Sequence, residues 1–463
     1  MRNQVKNAQP HQIKLSQSFT QSRLTENLRN KARQTLQELE SDQFNVTSSL
    51  NDNDNLNKQS IKIPLSKSNE DEDKLNSDLS TRKQMVIDYY KAVDQSKSPN
   101  YNPTVKQSNA DTSNPQKQTI DFPLQNIRNI LYWGTLKVGN PPVELKVDFD
   151  TGSTNMWIVK TCSSQENSND EGCYDSQNSH TAVQLEQASH ITFGKGQLTG
   201  PWGQDSIWIG DQYELKNQHM AFAQISDAFV DGTGILLGLG YPQMAAYGFT
   251  PFFDHIMESG ILPKNIFSFS LSSSSDIPSH LILGEIDNNQ FEGDLKYYPV
   301  VDKQFWTINL NDVLVGNKSL GICQPMRQCY VAIDSGTSFL TFPQELYDQV
   351  QDQFPHNVPC SSDQQYQDIT YVFEDRTKYT IPADKYIKKY KSTTNIEQQE
   401  SQQEFTCDTV ISPLNLVSYT QKQIFLLGDV FMQQYYTVFD RDQDRIGIAK
   451  AKIDGIIQTQ QNQ

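Results

Sequence analysis

The sequence lacks the long apolar runs of membrane proteins. No stretch of about 18 consecutive apolar residues occurs in it, which argues against a membrane-spanning helix. The opening segment, MRNQVKNAQPHQIKLSQSFT, also contains no apolar core of the kind that a secretory signal requires. A secretory location therefore needs either a different start of the reading frame or another route of entry, and we favour the first.

Nucleotide-binding and metal-binding motifs are missing as well. No GxGxxG or P-loop motif occurs between a strand and a helix. The six cysteines form no CxxC unit, and no histidine lies at zinc-ligand spacing from them, so we expect neither a metal nor another cofactor. Sequence neighbours among the cysteines are Cys162 with Cys173, Cys323 with Cys329, and Cys360 with Cys407. Six cysteines allow fifteen pairings, but their even number favours disulfides and an oxidising compartment over six reduced thiols.

Positive charge is scarce in most of the chain. Residues 121–463 hold 22 Lys or Arg against 41 Asp or Glu, a net charge of −19. Residues 1–120 hold 17 against 14, a net charge of +3. The acidity argues against nucleic acids and anionic membranes as partners of the C-terminal part. The opposite signs also predict an attraction between the two parts.

Aromatic residues are few in residues 1–120, which are rich in Gln, Asn, Ser, Lys and Asp. Such a composition buries little apolar surface by itself, and we interpret residues 41–60 and 95–119 as linker or disordered segments. Residues Ile61 to Leu65 alternate like a short edge strand that ends at a proline. An amphipathic helix is predicted by residues at helical spacing, which are Leu24, Leu28, Ala32, Leu36 and Leu39.

The pattern changes at about residue 121. From there, short β-branched and aromatic runs alternate with Gly, Pro, Asn and Asp turns almost to the end of the chain. This alternation is typical of an all-β protein. Short helices are predicted only around residues 252–258 and 343–352.

One short motif occurs twice, far apart. It reads Phe149-Asp150-Thr151-Gly152-Ser153 in the first copy and Ile333-Asp334-Ser335-Gly336-Thr337 in the second. In both copies an apolar, strand-like run ends at an aspartate, and a glycine that permits a tight turn follows. A single Asp-Thr/Ser-Gly tripeptide is weak evidence. Two copies in matching strands indicate two related lobes, each contributing one carboxylate to a shared site.

From about residue 121 to 453 the sequence resembles the pepsin-like aspartic proteases. The resemblance lies in ordered blocks: VDFDTGSTNMWIV (147–159), ITFGKGQLTG (191–200), GILLGLGYP (234–242), LILGEIDNNQFEGDL (281–295), FWTINL (305–310), AIDSGTSFL (332–340) and FLLGDVFMQQYYTVFDRDQDRIGIAKA (425–451). It implies a mostly β, bilobal fold with a cleft between the lobes that binds an extended polypeptide. The three neighbouring cysteine pairs also fall where this family places its disulfides.

The resemblance divides the chain into three parts. Residues 1–120 are a Gln/Asn-rich region with a basic inhibitory pro-segment, which matches residues 12–91. Residues 121–300 are an N-terminal lobe with Asp150 and a flap, and residues 301–463 are a C-terminal lobe with Asp334. Two segments are similar to the opening strand of the pro-segment, Ile13-Lys14-Leu15 and the segment from Ile61 to Leu65, and both assignments stay open.

The resemblance also implies the chemistry of an aspartic endopeptidase. Asp150 and Asp334 would share one proton, because two close, shielded carboxyl groups do not both ionise cheaply. The charged member would accept a proton from water while the neutral member polarises the scissile carbonyl. The hydroxyls and backbone N–H groups of the two turns would support the aspartates through hydrogen bonds. These residues are Thr151, Gly152, Ser153, Ser335, Gly336 and Thr337.

By the same resemblance, residues 191–200 are the flap that closes over substrate, and Phe193, Gly194, Lys195 and Gly196 line it. Most relatives have a tyrosine in place of Phe193, and its hydroxyl bonds to the tryptophan that matches Trp157. A phenylalanine keeps the apolar wall but loses this bond. We expect altered flap positioning and specificity, with activity retained.

The opposite charges of the two parts predict a zymogen that releases its pro-segment in acid, with the mature chain beginning near residues 115–125. Lys91 and Lys97 are both candidates to contact the aspartates in the zymogen. Asn45 and Asn317 begin glycosylation sequons that are used if the chain enters the secretory path. We expect a monomer that is lysosomal, vacuolar or secreted.

Two other hypotheses are a catalytically silent peptide-binding protein of the same fold and a purely structural secreted β protein. The first is hinted at by Phe193 alone. The second leaves both aspartate turns unexplained.

Overall fold

The computed structural model describes part of the chain, and all structural statements below concern that part. The described residues are 104–107, 117–127, 129, 131–159, 174–193, 196–210, 213–223, 234–274, 277–323, 329–355, 358–360, 366–391, 405–414, 416 and 423–452, with the side chains of 104–107, 189–198, 390 and 391 not described. All belong to the unit Leu75–Gln463. Several predictions lie outside these residues: the pro-segment, Lys91, Lys97, Asn45, Gly194, Lys195 and the pair Cys162 and Cys173.

Strands dominate the described residues, as the alternation of β-branched and turn residues predicts. They are β1 Thr104–Gln107, β2 Gln118–Ile127, β3 Leu131–Val138, β4 Val143–Asp150, β5 Met156–Val159, β6 Val183–Phe193, β7 Gly196–Ile209, β8 Tyr213–Ala223, β9 Ile235–Gly238, β10 Ile266–Ser270, β11 Ser279–Leu283, β12 Phe291–Pro299, β13 Thr307–Val315, β14 Lys318–Ser319, β15 Cys329–Ile333, β16 Leu340–Phe342, β17 Val358–Pro359, β18 Ile369–Phe373, β19 Lys378–Ile381, β20 Ile387–Lys391, β21 Phe405–Thr409, β22 Ile411–Pro413, β23 Gln423–Leu427, β24 Tyr435–Asp440 and β25 Arg445–Ala451.

Helices are short in this part of the chain. They are α1 Phe252–Ser259, α2 Gln344–Val350, α3 Ala383–Tyr386 and α4 Asp429–Met432, so the helices predicted around 252–258 and 343–352 are confirmed. Helix α1 ends at Gly260, whose φ of 69° is the left-handed conformation that glycine adopts without a Cβ penalty. None of the described helices combines the length and apolarity needed to cross a bilayer.

Three sheets contain these strands. The largest has 14 strands, in the order β12-β25-β24-β10-β11-β2-β3-β4-β9-β5-β8-β7-β6, with β1 paired to β2. A second sheet of eight strands runs β19-β18-β13-β15-β23-β16-β22, with β14 paired to β13. The third is β17-β21-β20.

The two aspartate motifs lie in equivalent strand arrangements. Strand β4 pairs in parallel with β9, and β9 pairs antiparallel with β5. In the second sheet, β15 pairs in parallel with β23, and β23 pairs antiparallel with β16. This repeated arrangement and the mostly-β content confirm the predicted bilobal fold class. Strands β24 and β25 of the C-terminal part join the large sheet through β10 and β12, and the lobe boundary near residue 300 stays a prediction.

Buried aromatic side chains connect the N-terminal and C-terminal strands. Trp306 is fully buried, and its ring centroid lies 4.5 Å from that of Tyr241 and 5.1 Å from that of Phe439. Its Nε1–H donates a hydrogen bond to the carbonyl of Leu239 at 2.9 Å. A tryptophan buried in this way satisfies its polar group while it supplies a large apolar surface. Arg441 lies over the ring of Tyr241, 4.7 Å from its centroid, and donates two hydrogen bonds to the carboxylate of Asp254.

Two of the three cysteine pairs implied by the resemblance are confirmed. Cys323 is bonded to Cys329, and Cys360 is bonded to Cys407. The interpretation of residues 95–119 as linker was wrong in part, because Thr104–Gln107 forms a strand antiparallel to β2, with Val105 opposite Ile120. An unpaired strand edge offers N–H and C=O groups to any nearby extended segment. A composition-based reading does not detect such pairing.

Candidate active site

Each predicted aspartate lies where a buried strand ends. Asp150 is the last residue of β4, and its carbonyl accepts a hydrogen bond from the N–H of Leu239 at 2.7 Å. Asp334 directly follows β15, and its N–H donates to the carbonyl of Leu427 at 3.0 Å. The two residues are only 8% and 6% exposed. The strands therefore hold both acids rigidly and largely away from solvent.

The two turns interlock through Thr151 and Ser335. The N–H of Thr151 donates to Oγ of Ser335 at 3.1 Å, and the N–H of Ser335 donates to Oγ1 of Thr151 at 3.0 Å. Each hydroxyl also donates across the pair, Thr151 to the carbonyl of Ile333 at 2.9 Å and Ser335 to that of Phe149 at 2.6 Å. Each turn thus satisfies buried polar groups of the other, so neither keeps this geometry alone.

Hydrogen bonds from neighbouring residues orient both carboxyl groups. Oδ1 of Asp150 accepts from the N–H of Gly152 at 2.7 Å, and Oδ1 of Asp334 accepts from the N–H of Gly336 at 3.0 Å. The hydroxyl of Thr337 donates to Oδ2 of Asp334 at 2.7 Å.

The other predicted supporting residue, Ser153, lies beside Asp150. Its hydroxyl is buried and has no hydrogen-bond partner among the described residues, so its predicted bond to the Asp150 carboxylate stays a prediction. The structure therefore brings together both aspartates and the six residues predicted to support them.

The two carboxyl groups interact electrostatically, and both have a raised pKa. Burial raises the pKa of Asp334 to about 7, and the charge of Asp150 adds to the rise. Burial also raises the pKa of Asp150. Because two adjacent buried carboxyl groups titrate as a pair, the site retains a proton in mild acid.

A third buried acid, Asp429, lies near the pair and was missed in the sequence. It is 2% exposed, and its N–H donates to the carbonyl of Thr337 at 2.8 Å. Burial raises its pKa well above the ordinary value, and the charges of Asp148 and Asp334 add to the rise. The sequence pattern that could have indicated it is the position of Asp429 directly after the segment Leu426-Leu427-Gly428.

The predicted flap corresponds to an antiparallel hairpin of β6 and β7, which we call the flap hairpin. Its register places Phe193 opposite Gly196 at the described end. The side chain of Phe193 lies outside the described part, so its predicted effect stays a prediction. Trp157 is buried on β5, and its ring centroid lies 5.8 Å from that of Trp202 on β7. The described residues contain no group of three or more His, Cys, Asp or Glu that could hold a metal ion.

Comparison with known proteins agrees with this geometry. The family model described as eukaryotic aspartyl protease matches residues 131–451, which is more than half of the chain. The chain belongs to this family. It is an aspartic-type endopeptidase, a hydrolase of peptide bonds.

Individual relatives of this protease are pepsins. Pepsin A of Suncus murinus is 30% identical over 344 residues, which cover 72% of this chain and 84% of that protein. Pepsin A of Bos taurus is 29% identical over 341 residues, or 71% and 86% of the two chains. Pepsin-2B of Gadus morhua is 30% identical over 342 residues, or 71% and 98%. Residues 131–451, which the family model matches, contain both aspartate motifs.

Proposed function

We propose that Asp150 and Asp334 are the catalytic residues of this endopeptidase and that they act through a bound water at acidic pH. The observation that carries the proposal is a pair of buried carboxyl groups held by crossed turns, in which the glycine of each turn lies against the carboxylate of the other. The two groups interact, and both have a raised pKa. Such a pair holds one proton and one negative charge in mild acid, so an acid and a base are available together.

The chemistry requires no covalent intermediate. The charged carboxylate takes a proton from the water as the water oxygen bonds to the scissile carbonyl carbon, while the neutral carboxyl gives its proton to the carbonyl oxygen. The resulting tetrahedral diol collapses when the proton held by one carboxyl passes to the peptide nitrogen and one diol hydroxyl gives its proton to the other, charged carboxylate. The C–N bond breaks, a carboxylic acid and an amine leave, and the pair again holds one proton. The pair titrates as a unit, so the shared proton is assigned to the pair and not to one residue.

Substrate binding is assigned to the cleft under the flap hairpin. An extended polypeptide with apolar residues at the scissile bond is the proposed substrate class, and Phe193 gives the flap an apolar side chain. Phe193, Gly194, Lys195, Gly196 and Trp157 are the proposed flap and substrate-binding residues. The enzyme acts as a monomer in this proposal.

The proposal includes synthesis as a zymogen. Residues 1–120 carry a net charge of +3 and residues 121–463 a net charge of −19. Acid protonates carboxylates while Lys and Arg keep their charge, so a fall in pH weakens the attraction between the two parts. Release of the pro-segment in acid would then uncover the cleft, in a secreted or a lysosomal or vacuolar setting.

Hydrolysis of denatured haemoglobin at acidic pH tests the proposal. The full chain is incubated in acid, and wild type is compared with Asp150→Asn and Asp334→Asn, which keep the side-chain shape and lose the titrating group. We expect peptide release by wild type and a fall of about a thousandfold or more in each variant, comparable with the loss on removing a key catalytic group. Wild type no faster than both variants would instead indicate a silent peptide-binding protein.

A further inference from the structure

An exposed tyrosine outside the cleft joins the flap hairpin to the loop that follows β9. Tyr247 is 62% exposed, yet its hydroxyl donates a hydrogen bond to the carbonyl of Ala188 on β6 at 2.9 Å. Its ring meets the ring of Trp202 on β7 edge-on, with centroids 6.4 Å apart. One side chain therefore contacts both strands of the flap hairpin.

The position of the hydrogen bond on β6 is specific. Ala188 lies opposite Pro201 in the register of the hairpin, and the register shifts between Gln184 and Ala188. Proline has no N–H, so Pro201 donates no ladder bond to β6. The hydroxyl of Tyr247 donates to the carbonyl of Ala188 at this irregular point of the β6–β7 hydrogen-bond ladder.

The loop that carries Tyr247 is attached to the first aspartate turn. The N–H of Ala246 donates to Oδ1 of Asn155 at 2.9 Å. The hydroxyl of Thr154 donates to the carbonyl of Tyr241 at 3.0 Å, and the N–H of Gly240 donates to the carbonyl of Ser153 at 2.7 Å. Continuous contacts thus run from the residues that follow Asp150, through this loop, to the flap hairpin.

The backbone of the loop has an unfavourable conformation at Tyr247. Tyr247 has a φ of 56° and a ψ of 11°, and Gly248 follows with a φ of 71°. The left-handed region disfavours a bulky L residue, and it persists where surrounding contacts impose it. A tyrosine whose ring only faced solvent would gain nothing from this conformation.

We propose that Tyr247 is a positioning residue that fixes the flap hairpin relative to the Asp150 turn. The inference rests on the proposed function of the hairpin as a flap over extended substrate. Tyr247 touches neither substrate nor reacting atoms. It acts through Ala188 and Trp202, and it keeps the hairpin in the geometry that receives the polypeptide.

The test compares Tyr247→Phe with Tyr435→Phe in the acid-incubated full chain. The first variant removes only the Tyr247 hydroxyl, which donates to the carbonyl of Ala188. The second removes a buried hydroxyl that donates to the carbonyl of Thr380 at 3.0 Å and accepts from its N–H at 2.8 Å, on strand β19 of the second sheet. For Tyr247→Phe we expect KM for a peptide substrate to rise about twofold to tenfold, the factor of one net hydrogen bond, with kcat unchanged. For Tyr435→Phe we expect a lower melting temperature and an unchanged KM.

Amide hydrogen exchange supplies a readout that does not depend on catalysis. Exchange in β6 and β7 should be faster in Tyr247→Phe than in wild type, with β24 and β25 unaffected. Tyr247→Asn, which tolerates the left-handed backbone but lacks the ring, should show a larger increase. Unchanged KM together with unchanged exchange in Tyr247→Phe overturns the inference. An inactive wild type overturns the proposed function instead, and the exchange result still decides whether Tyr247 holds the hairpin.

Discussion

A Cβ atom added to Gly152 would lie 2.5 Å from Oδ1 of Asp334, the acid of the other motif. The same relation holds in reverse, since a Cβ on Gly336 would collide with the carboxylate of Asp150. Each turn therefore makes space for the carboxyl group of its counterpart. The catalytic pair proposed here forms only when both halves of the chain are assembled.

Substitution of Gly152 should displace the acid of the other motif. In Gly152→Ala the new methyl group competes with the Asp334 carboxylate for the same space, and we expect activity to fall about a hundredfold or more, because small misplacements of reacting groups cost this much. Gly260→Ala is the control, since nothing lies within 4 Å of its added Cβ although its φ of 69° is unfavourable. Haemoglobin hydrolysis per folded molecule checks both, and a fully active, folded Gly152→Ala contradicts the crossed arrangement.

Removal of the Ser335 hydroxyl should loosen the junction of the two turns. Ser335→Ala loses the bond to the carbonyl of Phe149 and leaves the N–H of Thr151 without its acceptor. The expected cost is about 1–3 kcal/mol in the free energy of unfolding, the range for an unsatisfied buried polar group. Urea unfolding measures it. Ser335→Thr keeps the hydroxyl and should retain most of the stability and activity, whereas equal losses in both variants would show that the hydroxyl is not the cause.

The buried acids Asp334 and Asp429 should stabilise the folded protein more in acid than at neutral pH. Burial raises the pKa of Asp334 from 3.8 to about 7 and that of Asp429 well above 3.8. An acid whose folded pKa is raised contributes stability that is fully present below its unfolded pKa and is lost as pH rises through the folded value. The free energy of unfolding should therefore fall as pH rises from about 4 to about 7.

Asp429→Asn isolates one part of this pH dependence. The amide does not titrate, so the fall in unfolding free energy between mildly acidic and neutral pH should be shallower than in wild type. Two half-buried histidines, His219 and His255, have a pKa lowered by burial and act in the opposite sense, because their contribution is lost as pH falls. Urea unfolding across this pH range gives the slopes. Parallel curves for wild type and Asp429→Asn would contradict a buried, titrating Asp429.

The ion pair of Arg441 with Asp254 should be sensitive to the loss of one partner. Two hydrogen bonds of 3.1 and 2.7 Å join the side chains, which are 9% and 13% exposed. Asp254→Asn leaves the buried guanidinium without a counter-charge, and we expect a cost of about 3–5 kcal/mol. In a double-mutant cycle, Arg441→Met with Asp254→Leu should cost less than the sum of the two single changes. An additive result would indicate that the two charges do not stabilise each other.

Local sequence identified both aspartates, the helix Phe252–Ser259 and two disulfides, because each depends on a short pattern or on a block that resembles a known family. The strand Thr104–Gln107 was missed because its pairing with β2, and not its composition, makes it extended. Asp429 was missed because its proximity to Asp334 arises from the approach of two distant segments.

The sequence by itself determined where the two aspartate strands end, since apolar runs followed by Asp-Thr/Ser-Gly specify a strand and a tight turn locally. Only the tertiary structure decided the contacts between distant residues. Thr151 and Ser335 exchange hydrogen bonds, Gly152 lies against the carboxylate of Asp334, and the Tyr247 hydroxyl donates to the carbonyl of Ala188. These contacts join residues between 59 and 184 positions apart. No local pattern encodes them, because they exist only after folding has brought distant segments of the chain together.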